Sequence, residues 1–181
     1  MFLRFGCELQ RLSDAGFAEV VLVGINLSAY GTDIGLSICD AVELADRLNF
    51  SRVRLGSLEP DHITDEVIER LAKLPSFCPQ FHISLQSGCD NTLKAMNRHY
   101  SAEDYFKLCK KLRASFPDAT ITTDIMVGFP TESEEDFAEN VRFAQKIGFE
   151  KVHVFPYSPR EGTKAAKMPQ IEKAIKEKRS H

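Results

Sequence analysis

No cysteine pattern marks this chain. Its five cysteines, at 7, 39, 78, 89 and 109, are 32, 39, 11 and 20 positions apart, which matches no zinc-ribbon, redox or cluster spacing. An odd count also argues against a disulfide framework, so these thiols read as buried or incidental and no metal ligand is assigned. Missing too is any apolar run of the ~18 residues that a membrane span needs. The opening Met1-Phe-Leu-Arg-Phe-Gly6 has no signal-peptide core, so a cytoplasmic location with no membrane partner is expected. A net charge of -3 and a pI near 6.0 give no global attraction to phosphate. Any nucleic-acid contact must then be local or made by another part of the protein. Finally, no Ser-His-Asp order, phosphate-cradling glycine loop or paired-carboxylate arrangement stands out, which favours recognition over acid-base work.

What is present is a βα rhythm. The 181 residues suffice for one domain burying roughly 70% of its unfolded surface. Strands are expected at Glu19–Asn26, Arg52–Ser57, Phe81–Gly88, Thr120–Val127 and Lys151–Phe155. Helices are expected at Glu8–Ala15, Gly35–Leu48, Thr64–Leu74, Asp90–Asn97, Ser101–Ala114 and Glu132–Ile147, with a charged, frayed one at Pro169–Arg179. Apolar Val20–Val23 reads as a parallel strand covered on both faces, and Thr131-x-x-Glu134 as a capping box. Strand–helix alternation forces parallel pairing through right-handed crossovers. Five strands are too few to close an eight-stranded barrel. The expected fold is an α/β open part-barrel of about five parallel strands with helices outside.

Polar residues gather at the C-terminal ends of these strands, where such folds bind ligands. They are Asn26, Ser57 with Glu59, Gln86 with Ser87, Asp124, and Tyr157 with Ser158. Gly128 offers backbone that no Cβ crowds, and Arg98 could hold a carboxylate at the rim. His82, His153, Glu59 and Asp124 could instead form a metal site, but strand alternation leaves open which way they point.

Six ordered segments carry a resemblance. Leu22-Val-Gly-Ile-Asn-Leu-Ser-Ala-Tyr-Gly31, Arg54-Leu-Gly-Ser-Leu-Glu-Pro60, His82-Ile-Ser-Leu-Gln-Ser-Gly-Cys-Asp90, Leu93-Lys-Ala-Met-Asn-Arg-His-Tyr100, Asp124-Ile-Met-Val-Gly-Phe-Pro-Thr-Glu132 and Phe155-Pro-Tyr-Ser-Pro-Arg-Glu-Gly-Thr-Lys-Ala-Ala166 resemble the radical S-adenosylmethionine core of the tRNA methylthiotransferases. Gly24-Ile-Asn26 with Tyr30 leans to the branch acting on threonylcarbamoyladenosine beside the anticodon. The resemblance implies S-adenosylmethionine as cofactor, two four-iron, four-sulfur clusters and tRNA as partner, with sulfur and electron donors unspecified. It places Asn26 at the methionyl amine, Ser57 and Gln86 at the ribose or methionyl end, and Arg98 at the carboxylate. Asp124, Gly128, Tyr157 and Ser158 would line the adenosine side.

The family's C-x-x-x-C-x-x-C loop has no counterpart in residues 1–181, nor do its N-terminal cluster domain and C-terminal tRNA-binding domain. The chain is therefore expected to be a truncated core, inactive by itself. A divalent-metal lyase or aldolase and a non-catalytic S-adenosylmethionine-binding module are the alternatives. The strand at Val20–Val23 is expected to expose an edge and drive self-association, unless Met1–Phe5 folds back as a surrogate strand.

Overall fold

The computed structural model describes residues 2–181. It is α/β, with a two-stranded sheet β1-β2 and a four-stranded sheet ordered β3-β4-β5-β6. Two compact units divide the chain: Met1–His82 with Lys111–Thr120, and Ile83–Lys110 with Ile121–His181.

The first unit opens with α1 (Phe2–Asp14), six residues earlier than the sequence suggests. Phe5 and Leu9 share a face at i, i+4 spacing, with Leu9 buried and the Phe5 ring 5.7 Å from Tyr30. Phe2–Phe5 is therefore helix and not a surrogate strand; Met1 lies outside the described residues. Gly16 closes the helix at φ 79°, a conformation that suits glycine. β1 (Glu19–Leu22) pairs in parallel with β2 (Arg52–Leu55), Val21 opposite Arg54. Between them lies α2 (Ile38–Asp46), started by Ser37 and Asp40, whose carboxylate accepts the Ser37 amide at 2.6 Å.

Two expectations fail here. β1 is not covered on both faces: Leu22 is buried but Val21 is exposed, on the face that carries Glu19 with its partners Arg52 and Arg54. The strand expected at Arg52–Ser57 also breaks at Gly56, whose amide turns to the Leu22 carbonyl at 2.8 Å, leaving β3 as Ser57–Leu58. α3 (Asp65–Leu71) is capped by Thr64 and β4 begins at Gln80 (Gln80–Ile83). Phe77, Phe81 and Phe116 pack with centroids 5.3–5.8 Å apart as this unit's aromatic core.

The second unit holds α4 (Asp90–Ala95), most of α5 (Ala102–Ser115), β5 (Thr120–Val127), α6 (Glu134–Ile147), β6 (Lys151–Pro156) and α7 (Lys173–Ser180). β5 and β6 run parallel, with Asp124 opposite His153 and Met126 opposite Phe155. Residues 83–85 are fixed largely by side chains. The Thr123 hydroxyl donates to the Ile83 carbonyl at 2.7 Å and accepts the Leu85 amide at 2.9 Å, and the Tyr100 and Tyr105 hydroxyls donate to carbonyls of the same segment.

α6 is capped by Ser133 with Asp136, not by Thr131 with Glu134. Glu132 is buried and accepts the Gly128 amide at 2.6 Å, which holds Thr131 at φ 83°, outside the extended backbone of an N-cap. Nor does the C-terminal helix end loose: Arg179 is buried against Glu132.

Candidate functional site

Strand alternation decides which side chains of the second unit meet. Along β5, Ile121, Thr123, Ile125 and Val127 are buried, while Thr122, Asp124 and Met126 are half-buried on the opposite face. The parallel register lines Lys151, His153 and Phe155 up beside those three. At the C-terminal end of this face a cavity of about 430 Å³ opens, lined by Met126, Phe129, Phe155, Tyr157, Ser158 and Arg160 among others. That volume is in the usual range for a small-molecule site.

Its walls are aromatic with a few polar groups. Phe129 and Tyr157 meet edge to face at 5.2 Å, and the Tyr157 hydroxyl is buried with no hydrogen-bond partner in the protein. A buried phenol left unpaired is costly, and with no surface open to the cavity this hydroxyl is a feature of the wall and not a contact for a ligand. Ser158, Arg160 and Thr163 supply the polar rim.

Of the residues expected at the site, Tyr157 and Ser158 line this cavity and Asp124 lies on its face two positions from Met126. Gln86 joins them through the backbone. Its amide donates to the Asp124 carbonyl, and its carbonyl accepts from the Met126 amide, each at 2.9 Å. Gln86 is held at φ 66°, a strained conformation for a side chain of its kind that tends to persist where geometry matters.

Gly128 has φ 70°, but the side where a Cβ would stand meets the Lys176 side chain, so that space is filled. Arg98 is half-buried just after α4, where Asn97 at φ 59° ends the helix. Asn26 and Ser57 belong to the first unit. Asn26 is spent locally, its side chain capping a short turn by accepting the Ala29 amide at 3.3 Å, and Ser57 is exposed on β3.

Sequence reasoning missed Met126, Phe129, Phe155, Arg160 and Thr163. The signal for two of them was present, since Met126 stands two residues from Asp124 and Phe155 two from His153, on a strand face already under suspicion. Phe129, Arg160 and Thr163 lie in loops, where no periodicity points.

The metal-site alternative finds no geometry. Among the described residues no three of His, Cys, Asp and Glu could hold an ion together, although Asp124 and His153 are neighbours across the strands. The thiols form no such group either: Cys7 is exposed, Cys78 half-buried, and Cys39, Cys89 and Cys109 buried, and none of the five is in a disulfide. No helix among the described residues is long and apolar enough to cross a membrane.

Comparison with known proteins places these features in a lineage. Residues 8–144 match the family described as the Radical SAM superfamily. The chain is 41% identical over 162 residues to the threonylcarbamoyladenosine tRNA methylthiotransferase MtaB of Thermotoga maritima, covering 89% of this chain and 37% of that protein. It is 42% identical over 182 residues to the tRNA-2-methylthio-N(6)-dimethylallyladenosine synthase of Mycobacteroides abscessus, covering 95% and 36%. It thus spans little more than a third of the length of these curated relatives.

Among solved structures it resembles the radical S-adenosylmethionine methyltransferase TsrM of Kitasatospora setae, with TM-score 0.65, 15% identity, and 83% and 28% coverage. It also resembles Streptococcus suis SuiB bound to S-adenosylmethionine, with TM-score 0.58, 19% identity, and 88% and 34% coverage. At such identities the likeness concerns the fold, and it agrees with the expected α/β class of parallel strands.

Proposed function

The chain belongs to the Radical SAM superfamily, and from that premise we propose that it is the core segment of a tRNA methylthiotransferase that adds a methylthio group to threonylcarbamoyladenosine next to the anticodon. The observation that carries this reading is the 41% identity to the Thermotoga maritima methylthiotransferase across 89% of the chain. The substrate is then tRNA and the setting cytoplasmic, with sulfur and electrons delivered by other components.

S-adenosylmethionine fits the cavity by its chemistry. An adenine can lie against Phe129 and Tyr157, aromatic residues suited to a flat ring, while the Ser158 rim offers hydrogen bonds. Asp124 would face the ribose side and Gln86 would fix the strand end beside it; Arg98, Asn26 and Ser57 keep their roles towards S-adenosylmethionine by resemblance alone, whereas Gly128 offers no open backbone because Lys176 fills the space beside it. Bound there, S-adenosylmethionine supplies the reductive-cleavage chemistry of the superfamily. The residues of this chain bind it, orient it and shield it from water.

Iron–sulfur clusters do not fit the thiols of residues 2–181. A four-iron cluster needs thiolates converging on one point, and no such group exists among the described residues. The chain by itself is proposed to be inactive, so after anaerobic reconstitution it should yield no 5′-deoxyadenosine; that product together with stoichiometric iron and sulfide would refute the proposal.

A second reading has its own support: the Mycobacteroides abscessus relative, named for a dimethylallyladenosine product, is 42% identical over 95% of the chain. One experiment separates the two. Residues 8–171 replace the matching segment of the Thermotoga maritima relative, and the hybrid is expressed in cells lacking tRNA methylthiotransferases. Mass spectrometry of digested tRNA should show methylthio-threonylcarbamoyladenosine. Appearance of only the dimethylallyl product would establish the second reading, and a folded hybrid that binds S-adenosylmethionine yet leaves tRNA unmodified would point to a non-catalytic binding module.

A further inference from the structure

α7 contacts the segments that follow β5 and β6 through Lys176 and Arg179. Arg179 is charged but only 9% exposed. Its Nη1 donates to the Glu132 carbonyl at 3.1 Å and to Glu132 Oε2 at 2.7 Å, its Nη2 donates to Glu134 Oε1 at 2.6 Å, and the guanidinium lies 5.1 Å from the Phe137 ring. The Glu132 side chain is wholly buried, and the same Oε2 accepts the Gly128 amide at 2.6 Å. One carboxylate oxygen thus joins the start of the 128–132 turn to a cation 47 residues downstream.

Three positions before Arg179, on the same face by helical spacing, Lys176 donates to the Tyr157 carbonyl at 3.2 Å with its Nζ 5.6 Å from the Tyr157 ring. Its stem occupies the space beside Gly128. The two strand ends whose aromatic residues, Phe129 and Tyr157, form the cavity wall are therefore both held by α7.

A buried ion pair is a poor way to gain stability alone, because desolvation offsets most of the attraction and an apolar pair would serve as well. What it adds is direction. The guanidinium fork and the carboxylate accept few geometries, and here those geometries set the path of the turn carrying Phe129. We infer that α7 is a clasp for this cavity and that Arg179 is a positioning residue, acting through Glu132 to fix the Gly128 amide and the wall that follows it. The inference rests on the S-adenosylmethionine reading above only where affinity is measured.

The test uses the full chain with Arg179→Met, which keeps a stem without charge, and Arg179→Lys, which keeps charge without the fork. Amide exchange and S-adenosylmethionine affinity are read together. In Arg179→Met, exchange across 128–132 should rise by about tenfold or more, as for loss of a charge-assisted buried hydrogen bond, while residues 83–85 and α5 stay protected. The dissociation constant should rise by a similar factor, and Arg179→Lys should fall between.

A uniform rise over the whole chain would reduce Arg179 to a stabilising residue and overturn the inference, as would unchanged exchange at 128–132. If Arg179→Met does not fold, Arg179→Lys decides alone: a selective rise supports the clasp, a uniform rise or none refutes it. A selective rise in a protein that never binds S-adenosylmethionine leaves the clasp standing and defeats the cofactor reading.

Discussion

The thiol of Cys89 donates to the carboxylate of Asp136 across 3.2 Å, tying the segment before α4 to the first turn of α6. The two groups titrate in opposite directions. Burial pushes the Cys89 thiol up to about 11, and the neighbouring negative charge adds to it. The Ser133 amide, with smaller help from Cys89 and Asn91 against the cost of burial, holds Asp136 down at about 2. The pair is therefore a neutral donor on a fixed anion, the reverse of a reactive thiolate.

Native thiol chemistry should follow from that. At pH 8, iodoacetamide should modify exposed Cys7 first and half-buried Cys78 more slowly, leaving Cys39, Cys89 and Cys109 untouched until the protein unfolds. Peptide mass spectrometry at timed quenches reads this directly. Labelling of Cys89 at the rate of Cys7 would contradict the burial and the Asp136 hydrogen bond.

Asp136 also carries a pH signature. Its folded pKa is about 2 against an ordinary 3.8, so its stabilising contribution is complete above the unfolded value and fades as pH falls from about 4 towards 2. Asp136→Asn keeps the size but loses the capping carboxylate, and near neutral pH should cost about 1 kcal/mol, typical of a lost cap. The gap between variant and parent in urea unfolding should narrow below pH 4. A gap that is constant from pH 7 to pH 2.5 would show that Asp136 acts through shape alone.

Gly88 is a packing constraint. A Cβ there would stand 2.6 Å from the Phe143 Cβ, and the Gly88 amide is already committed to Asn140 at 2.7 Å, so neither backbone nor helix can yield freely. Gly88→Ala should destabilise by about 1–3 kcal/mol, the usual cost of overpacking, seen as a lower urea midpoint at unchanged slope. Adding Phe143→Gly, which removes the Cβ together with the ring, should make the double variant more stable than the sum of the two single losses predicts. Strict additivity would exclude the clash.

The sequence announced β5 to the residue, because Thr120–Val127 is a β-branched and apolar run that breaks at Gly128, where the fold has a positive φ. Of the polar strand-end residues it singled out, Tyr157 and Ser158 line one cavity, and Asp124 stands two positions before Met126 of that lining. The sequence misplaced what long-range pairing decides. α6 begins at Glu134, capped by Ser133, because Glu132 is taken by Arg179, a partner 47 positions away that no local motif reveals. Gly128 looked like open space for a ligand, yet Lys176 fills it from a helix read as frayed. For β1 an apolar run suggested cover on both faces, when its neighbours supply cover on one.

The exposed flank of β1 leads to the last prediction. β1 is paired with β2 and with no other strand among the described residues. Val21 is 43% exposed, and beyond the strand Val23 is 75% exposed and Ile25 fully so. Unpaired amides and carbonyls beside an apolar run form a template for a second chain. Phe2–Phe5 does not relieve this, being helical. Glu19 offers only partial protection, since its carboxylate is engaged by Arg52 and Arg54 from the β2 side. Edge-to-edge association of two copies through 20–23 is therefore the expected behaviour of the isolated chain. Light scattering over a dilution series should show mass rising with concentration, and Val21→Lys with Val23→Lys should return it to monomer without changing the unfolding midpoint by more than about 1 kcal/mol equivalent, as exposed substitutions do. A parent chain that stays monomeric at high concentration, or a double lysine variant that associates as strongly as the parent, would show that this edge drives no assembly.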